Sequence, residues 1–173
     1  GELTGLRNRV GFMELGRSTL DPSRSREETG LVVFCDMDGL KTINDTFGHE
    51  VGDVAIKAQA EILNSSFRSN DILGRCGGDE FLVICPGLTM DKFGKIKERI
   101  AKACHEWSKN TKAKFELRKI AMNRMEFLEN GKIAFTYMTK EDDKKIHTIE
   151  TNYDGNIHSN LLIFDINNNN DNN

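Results

Sequence analysis

The sequence predicts an α/β or α+β sandwich, with helices packed against a mixed sheet. Three observations predict it. Leu31-Val32-Val33-Phe34-Cys35 is a short continuous apolar run with the β-branched content of a strand buried on both faces. Two more apolar runs, 72–76 and 81–85, are separated by Gly77-Gly78-Asp79-Glu80 and read as a hairpin. Between and after these runs, apolar residues recur at helical spacing.

Taken in order, Val10, Met13 and Leu20 stand among polar positions, so residues 10–20 are expected to be a helix capped by Asn8. Residues 21–30, "DPSRSREETG", read as a polar loop leading into the 31–35 strand. Val51, Val54, Ala55, Ala58, Ile62 and Leu63 then predict an amphipathic helix over about 53–67, with Asp53 at its start where a carboxylate can cap free N–H groups. In the hairpin, Gly77 and Gly78 are expected to supply the positive φ angles of a tight turn. Pro86-Gly87 ends the second strand, and Phe93, Ile96, Ile100 and Cys104 stripe a helix over 90–107. Beyond residue 113 the signal weakens. Residues 132–139 and 145–164 look strand-like, the latter as a pair of strands joined at Asp154-Gly155, and the terminal "NNNNDNN" (167–173) is low-complexity and expected to be disordered.

The chain has 173 residues and is 38% hydrophobic, which fits one globular domain over 1–166. A net charge of −3 provides no global basic field, so nucleic acid and membrane surfaces are not expected partners. No apolar run approaches the roughly 20 residues that span a bilayer. No signal peptide is visible, and the start at Gly1 rather than Met reads as an excised domain with an upstream sensory domain or anchor. The four cysteines form no C-x-x-C pair, and Cys35 and Cys85 sit in strand-like runs. Buried, reduced thiols in a cytoplasmic protein are therefore expected.

Two acidic pairs carry the chemistry. The central strand runs directly into Asp36-Met37-Asp38, and the hairpin tip presents Asp79-Glu80. If the hairpin lies beside that strand, these carboxylates converge, and unpartnered carboxylates repel one another and raise each other's pKa. A divalent cation removes the conflict, and oxygen-only ligands favour Mg²⁺ bound through one or two carboxylates plus substrate phosphates.

On these residues the chain resembles the GGDEF domain, the catalytic domain of diguanylate cyclases. The likeness rests on "LTGLRNR" (3–9), "DMDGLKTINDTFGHEVGD" (36–53) and "RSNDILGRCGGDEF" (68–81), and continues less specifically to about residue 107. It implies a sheet flanked by helices, like the palm of polymerases and nucleotidyl cyclases. It also implies a reaction in which two GTP condense to cyclic 3′,5′-di-GMP and two pyrophosphates, each 3′-hydroxyl attacking the other α-phosphate across a homodimer. Residue by residue, it implies that Asp36, the Met37 carbonyl, Asp79 and Glu80 hold Mg²⁺ (or Mn²⁺), with Asp79 also the proton acceptor. Backbone N–H groups at Gly39 and Leu40, with Lys41, would cradle the phosphates. Gly77 and Gly78 would let nucleotide approach the backbone. Asn44 and Asp53, with His49 as a lesser candidate, would read the guanine edge, since a carboxylate accepts from N1–H and the 2-amino group that adenine does not offer. Arg68 and Asp71, an R-x-x-D ending five residues before Gly77, would form an inhibitory site for cyclic di-GMP, with Arg99 adding a second arginine.

The resemblance stops short of the C-terminus. A strand with a Ser-Ile-Gly run and a last helix carrying a Lys and an Arg for the triphosphate are expected, but "KFELRKIAMNRMEF" stands where that strand should begin. Lys114, Arg118, Lys119 and Arg124 read as solvated surface. Residues 113–166 therefore read as a divergent ending of the domain, with foreign or fused sequence as the alternatives. Three functions remain open: an active diguanylate cyclase, a non-catalytic module that binds GTP or cyclic di-GMP for signalling, and a polymerase-like palm on nucleic acid. The acidic net charge and absent basic groove weigh against the third.

Overall fold

The computed structural model describes residues 2–20, 30–37, 39–111, 115, 117, 120–127, 132–137 and 147–152, with side chains described only up to Leu117. The elements run α1 (Arg9–Leu20), β1 (Gly30–Met37), α2 (Leu40–Phe47), α3 (His49–Ser66), β2 (Ile72–Arg75), β3 (Glu80–Pro86), α4 (Met90–Asn110), β4 (Ile120–Phe127), β5 (Lys132–Tyr137) and β6 (His147–Asn152). The strands form one sheet in the order β2-β3-β1-β4-β5-β6. Each neighbouring pair of strands is antiparallel, so of the two expected classes the fold is α+β and the sheet is not mixed. A single parallel bridge, Arg7↔Gly74, ties the N-terminal segment to the outer edge of β2.

β1 is central because its residues can be buried on both faces, and from Leu31 to Cys35 none is more than 9% exposed. Alternation divides its side chains. Leu31, Val33, Cys35 and Met37 join Phe81, Val83 and Cys85 of β3 in a core closed by α2, α3 and α4. On the opposite face α1 lies close. A Cβ on Gly74 of β2 would come within 2.8 Å of Phe12, and one on Gly16 within 2.8 Å of Ile84. Those glycines let helix and sheet approach, and Phe12 is fully buried.

The helix ends follow local chemistry. Asn8 Oδ1 accepts from Gly11 N at 3.0 Å, the cap expected for α1. Thr89 caps α4 by accepting from Lys92 N, and the stripe of Phe93, Ile96, Ile100 and Cys104 is buried as expected. The region 40–66 departs from expectation. Two helices occupy it, divided at Gly48, whose φ of 93° is a left-handed value that breaks the α2 ladder. Asp53 is therefore not a cap. It lies in the second turn of α3, exposed, while Gly48 holds the cap position without any side-chain bond.

Beyond α4, β4 fills the place beside β1 and two further strands extend the sheet, close to the strand-like stretches read from the sequence. The loop 21–29, Asp38, Lys114, Arg118, Lys119, the Asp154-Gly155 turn and the Asn-rich tail lie outside the described residues. All four cysteines are free and buried, and burial raises every thiol pKa, Cys76 and Cys104 to about 11. Among the described residues no helix is long and apolar enough to cross a membrane.

Candidate functional site

The site forms where the end of β1 meets the tip of the β2–β3 hairpin. Antiparallel register sets Asp36 opposite Glu80. Asp36 is the exposed position between two buried neighbours, Cys35 and Met37, so alternation carries its carboxylate out of the core at the strand end. There it shares a side-chain hydrogen bond with Asp79. Partial burial, then the bond and charge of Asp79, then the charge of Glu80 lift the Asp36 pKa from 3.8 to about 7, against a smaller opposing pull from the Met37 backbone bond. The convergence expected of the two acidic pairs is present for Asp36, Asp79 and Glu80.

The turn that carries Asp79 is closed by Cys76 N donating to Glu80 O at 2.9 Å and Gly77 N to the same oxygen at 3.4 Å. Neither Gly77 nor Gly78 has a positive φ, contrary to expectation. Their value is space. A Cβ on Gly77 would sit 2.7 Å from Glu80 Oε2, and nothing lies within 4 Å of the Cβ position on Gly78. One contact escaped the sequence reading. Arg75, the last residue of β2, donates from Nε (3.0 Å) and Nη2 (2.8 Å) to the Gly78 carbonyl. The stretch "RCGGDEF" sets an arginine two residues before a flexible pair of glycines, but nothing in it marks a backbone carbonyl as the partner.

A second group lies on α2 and α3. Gly39 precedes α2 at φ 83°, ψ 14°, with no side chain capping the helix and open space at its Cβ position. Among the described residues, no side chain is recorded as accepting from the first N–H groups of α2, the arrangement that suits an anion. Lys41 is exposed beside them, ion-paired to Asp45 at 2.9 Å. Across the Gly48 break, the Asn44 amide lies directly over Gly52, in the space a Cβ would need. Asn44 is thus brought beside the turn that carries Asp53, with His49 exposed at the first position of α3.

A third group forms at the other end of β2. The Arg68 guanidinium grips Asp71 from Nη2 (2.6 Å) and Nε (3.1 Å), and Arg68 N donates to Asp71 Oδ2 at 2.8 Å. Nη2 also reaches the Pro86 carbonyl at 2.9 Å. Asp71 is 1% exposed at its side chain and Arg68 32%. Arg99 donates from Nη1 to the Ser66 carbonyl at 2.9 Å, so α4 delivers it to the same corner.

Does the carboxylate group suit a hard cation? Asp36, with Asp79 and Glu80 beside it, forms an oxygen-only donor set, and burial first, then the neighbouring carboxylates, raises the Asp36 pKa. Among the described residues no three His, Cys, Asp or Glu side chains converge tightly enough to enclose a metal. An oxygen-only set of this kind suits a hard divalent cation that takes few protein carboxylates and completes its shell with water and phosphate.

An antiparallel palm with carboxylates at the strand end and hairpin tip defines the class. The family model for the diguanylate cyclase GGDEF domain matches residues 2–125, reaching into β4 and so past the limit of the resemblance read from the sequence. The chain belongs to the GGDEF domain family. It is 35% identical over 105 residues to the probable diguanylate cyclase DgcE of Escherichia coli, covering 61% of this chain and 10% of that protein. It is 42% identical over 89 residues to the cyclic di-GMP phosphodiesterase NbdA of Pseudomonas aeruginosa, covering 51% of this chain and 11% of that one. The chain thus spans about a tenth of the length of either relative. Among solved structures, the GGDEF domain of Pseudomonas aeruginosa YfiN (TpbB) superposes with a TM-score of 0.64 at 26% identity, covering 72% of this chain and 78% of that one.

Proposed function

We propose that the chain is a diguanylate cyclase domain that condenses two GTP into cyclic 3′,5′-di-GMP and two pyrophosphates. The observation that carries the reading is the contact of Asp36 with Asp79, opposed by Glu80, at the strand end. Asp36, Asp79, the Met37 carbonyl and Glu80 would hold Mg²⁺ or Mn²⁺, which when bound neutralises phosphate charge and stabilises attacking and leaving oxygens. The uncapped N–H groups at the start of α2 bind the β- and γ-phosphates, and Lys41 exchanges its exposed partner Asp45 for phosphate, since a surface ion pair contributes about 1 kcal/mol or less. Asn44 and Asp53 orient guanine, with His49 at the edge of the same group. Open space at Gly78 admits the nucleotide. Asp79 takes the proton of the incoming 3′-hydroxyl. One GTP per domain requires two domains face to face, so the active form is a homodimer. Arg68, Asp71 and Arg99 bind the product and restrain turnover.

Relatives that carry other activities favour a second reading. NbdA, a phosphodiesterase by name, matches over 89 residues, so likeness of this extent also accompanies a different chemistry. In that reading the domain binds GTP or cyclic di-GMP and signals to a partner. Incubation of purified protein with GTP and Mg²⁺, followed by chromatographic and mass analysis of nucleotides, separates the two. Cyclic di-GMP with two equivalents of pyrophosphate supports the cyclase. Nucleotide binding without product supports the module. Neither binding nor product overturns both.

A further inference from the structure

We infer that Arg75 is a positioning residue for this site: by gripping the Gly78 carbonyl it fixes the hairpin tip that places Asp79 beside Asp36. The tip has little else to fix it. Gly77 and Gly78 lack the side chains that restrict a backbone, and adjacent glycines carry the largest conformational entropy of any pair. Nothing packs at the Cβ position of Gly78, so no wall confines that peptide. The two turn-closing bonds converge on Glu80 O and leave the Gly78–Asp79 peptide between them.

Arg75 supplies the missing restraint. Its Nε and Nη2 both donate to one carbonyl oxygen, at 3.0 and 2.8 Å, a chelating grip that restrains where that oxygen, and the peptide that leads into Asp79, can sit. The fork is itself held on rigid backbone. Arg75 pairs with Phe81 across the hairpin, and its own N–H donates to Arg7 O at 2.9 Å. Phe81 is fully buried. A lysine could give the carbonyl one mobile point donor but not two from a planar fork. The consequence is specific: Arg75 controls the distance and direction of one carboxylate toward another without touching substrate. A loss of alignment on the order of 1 Å can lower a rate by about 100-fold.

The kinetic part of this inference rests on the diguanylate cyclase reading; the structural part does not. The experiment compares wild type, Arg75→Ala and Arg75→Lys, with Lys102→Ala on the exposed face of α4 as a control. Hydrogen exchange of the Cys76 and Gly77 amides, read by NMR on protein free of metal and nucleotide, reports the tip directly. In Arg75→Ala these amides are expected to exchange about 10-fold faster while core β1 amides stay protected, with Arg75→Lys between the two. Mn²⁺ affinity, measured by electron paramagnetic resonance, falls about 10-fold. With GTP, kcat falls about 100-fold and KM changes by less than about 3-fold, and millimolar guanidinium restores part of both Mn²⁺ affinity and kcat. Exchange at Cys76 and Gly77 within 2-fold of wild type in both variants overturns the inference. So does faster exchange spread equally over β1, which marks a general loss of stability. If Arg75→Ala does not fold, Arg75→Lys decides by the same amides. A wild-type protein that makes no product and binds no Mn²⁺ overturns the proposed function, while the exchange data still judge Arg75.

Discussion

Asp36 and Asp79, one at the end of the central strand and one at the hairpin tip, share a hydrogen bond between their carboxyl groups. Such a bond needs a proton on one of the two carboxyls, and a bound cation can take that proton's place. Without either, the two carboxylates, with Glu80 opposite Asp36, repel one another. Function and stability therefore pull in opposite directions at this point of the fold.

The first prediction follows from that opposition. Asp36→Asn keeps the shape and donates an N–H to Asp79, but removes one charge. Cyclic di-GMP formation should fall by roughly 10³-fold, the scale of losing a charged metal ligand. Meanwhile the metal-free protein should melt at a higher temperature than wild type at pH 8. Turnover within tenfold of wild type would remove Asp36 from the site.

A pH experiment tests the same group. The folded-state pKa of Asp36 is raised from 3.8 to about 7, so between those values the folded protein holds a proton that the unfolded chain has released. The contribution of this group to stability is therefore present at low pH, declines as pH rises through that window, and levels off above about 7. Mg²⁺ competes with that proton. Added Mg²⁺ should raise the melting temperature little at pH 5.5 and fully at pH 8. Asp36→Asn should flatten the difference. An equal Mg²⁺ effect at both values would place the cation elsewhere.

Base choice gives a third test. Asp53 is exposed in the second turn of α3 and has no capping role, and the Asn44 amide rests over Gly52. Gly52→Ala would drive a methyl into that amide. We expect it to weaken GTP binding, measured by calorimetry, about as much as Asn44→Ala. Asp53→Ala should erase the preference for GTP over ATP, which for a site built on paired polar groups reaches roughly 10⁴-fold. Comparable affinities of the wild type for ATP and GTP would reduce Asp53 to a surface acid.

Much of this site was legible because it is written in short-range terms. A strand of Leu31 to Cys35 followed by Asp36 fixes which end of the sheet bears the acid, and the hairpin fixes where Asp79 and Glu80 return. The break at Gly48 was hidden because Val51 to Leu63 alone satisfies helical periodicity, and "LKTINDTF" buries only Ile43 fully, with Leu40 packed partly against the core. The glycine pair was misread because two adjacent glycines signal a positive-φ turn on statistics, whereas this tip uses them for clearance. Arg75 was passed over because its partner is a backbone carbonyl, and a sequence carries no mark of which carbonyls face a guanidinium. The six-stranded order was equally invisible, since β4 joins β1 through pairing that no local pattern announces.

The last prediction concerns product control and separates the two arginines. Arg68 holds Asp71, whose side chain is 1% exposed, so Arg68→Ala strips partners from a buried carboxylate as well as removing a ligand contact. It should weaken cyclic di-GMP binding by about 1.5–3 kcal/mol, roughly 10- to 100-fold, and also lower the melting temperature. Arg99 is exposed and bonded to the Ser66 carbonyl, a neutral group rather than a buried charge. Arg99→Ala should therefore weaken product binding with a smaller loss of melting temperature than Arg68→Ala. β2 separates this corner from the hairpin tip, and its four residues, Ile72–Arg75, span roughly 13 Å at about 3.3 Å each. Product bound at Arg68 does not overlap GTP at Asp79, so inhibition should be non-competitive, and basal turnover should survive Arg99→Ala. Calorimetry with cyclic di-GMP and initial rates at several GTP concentrations read both quantities. Competitive inhibition, or unchanged product affinity in Arg99→Ala and Arg68→Ala alike, would leave the Arg68–Asp71 pair as a structural clamp on the end of β3.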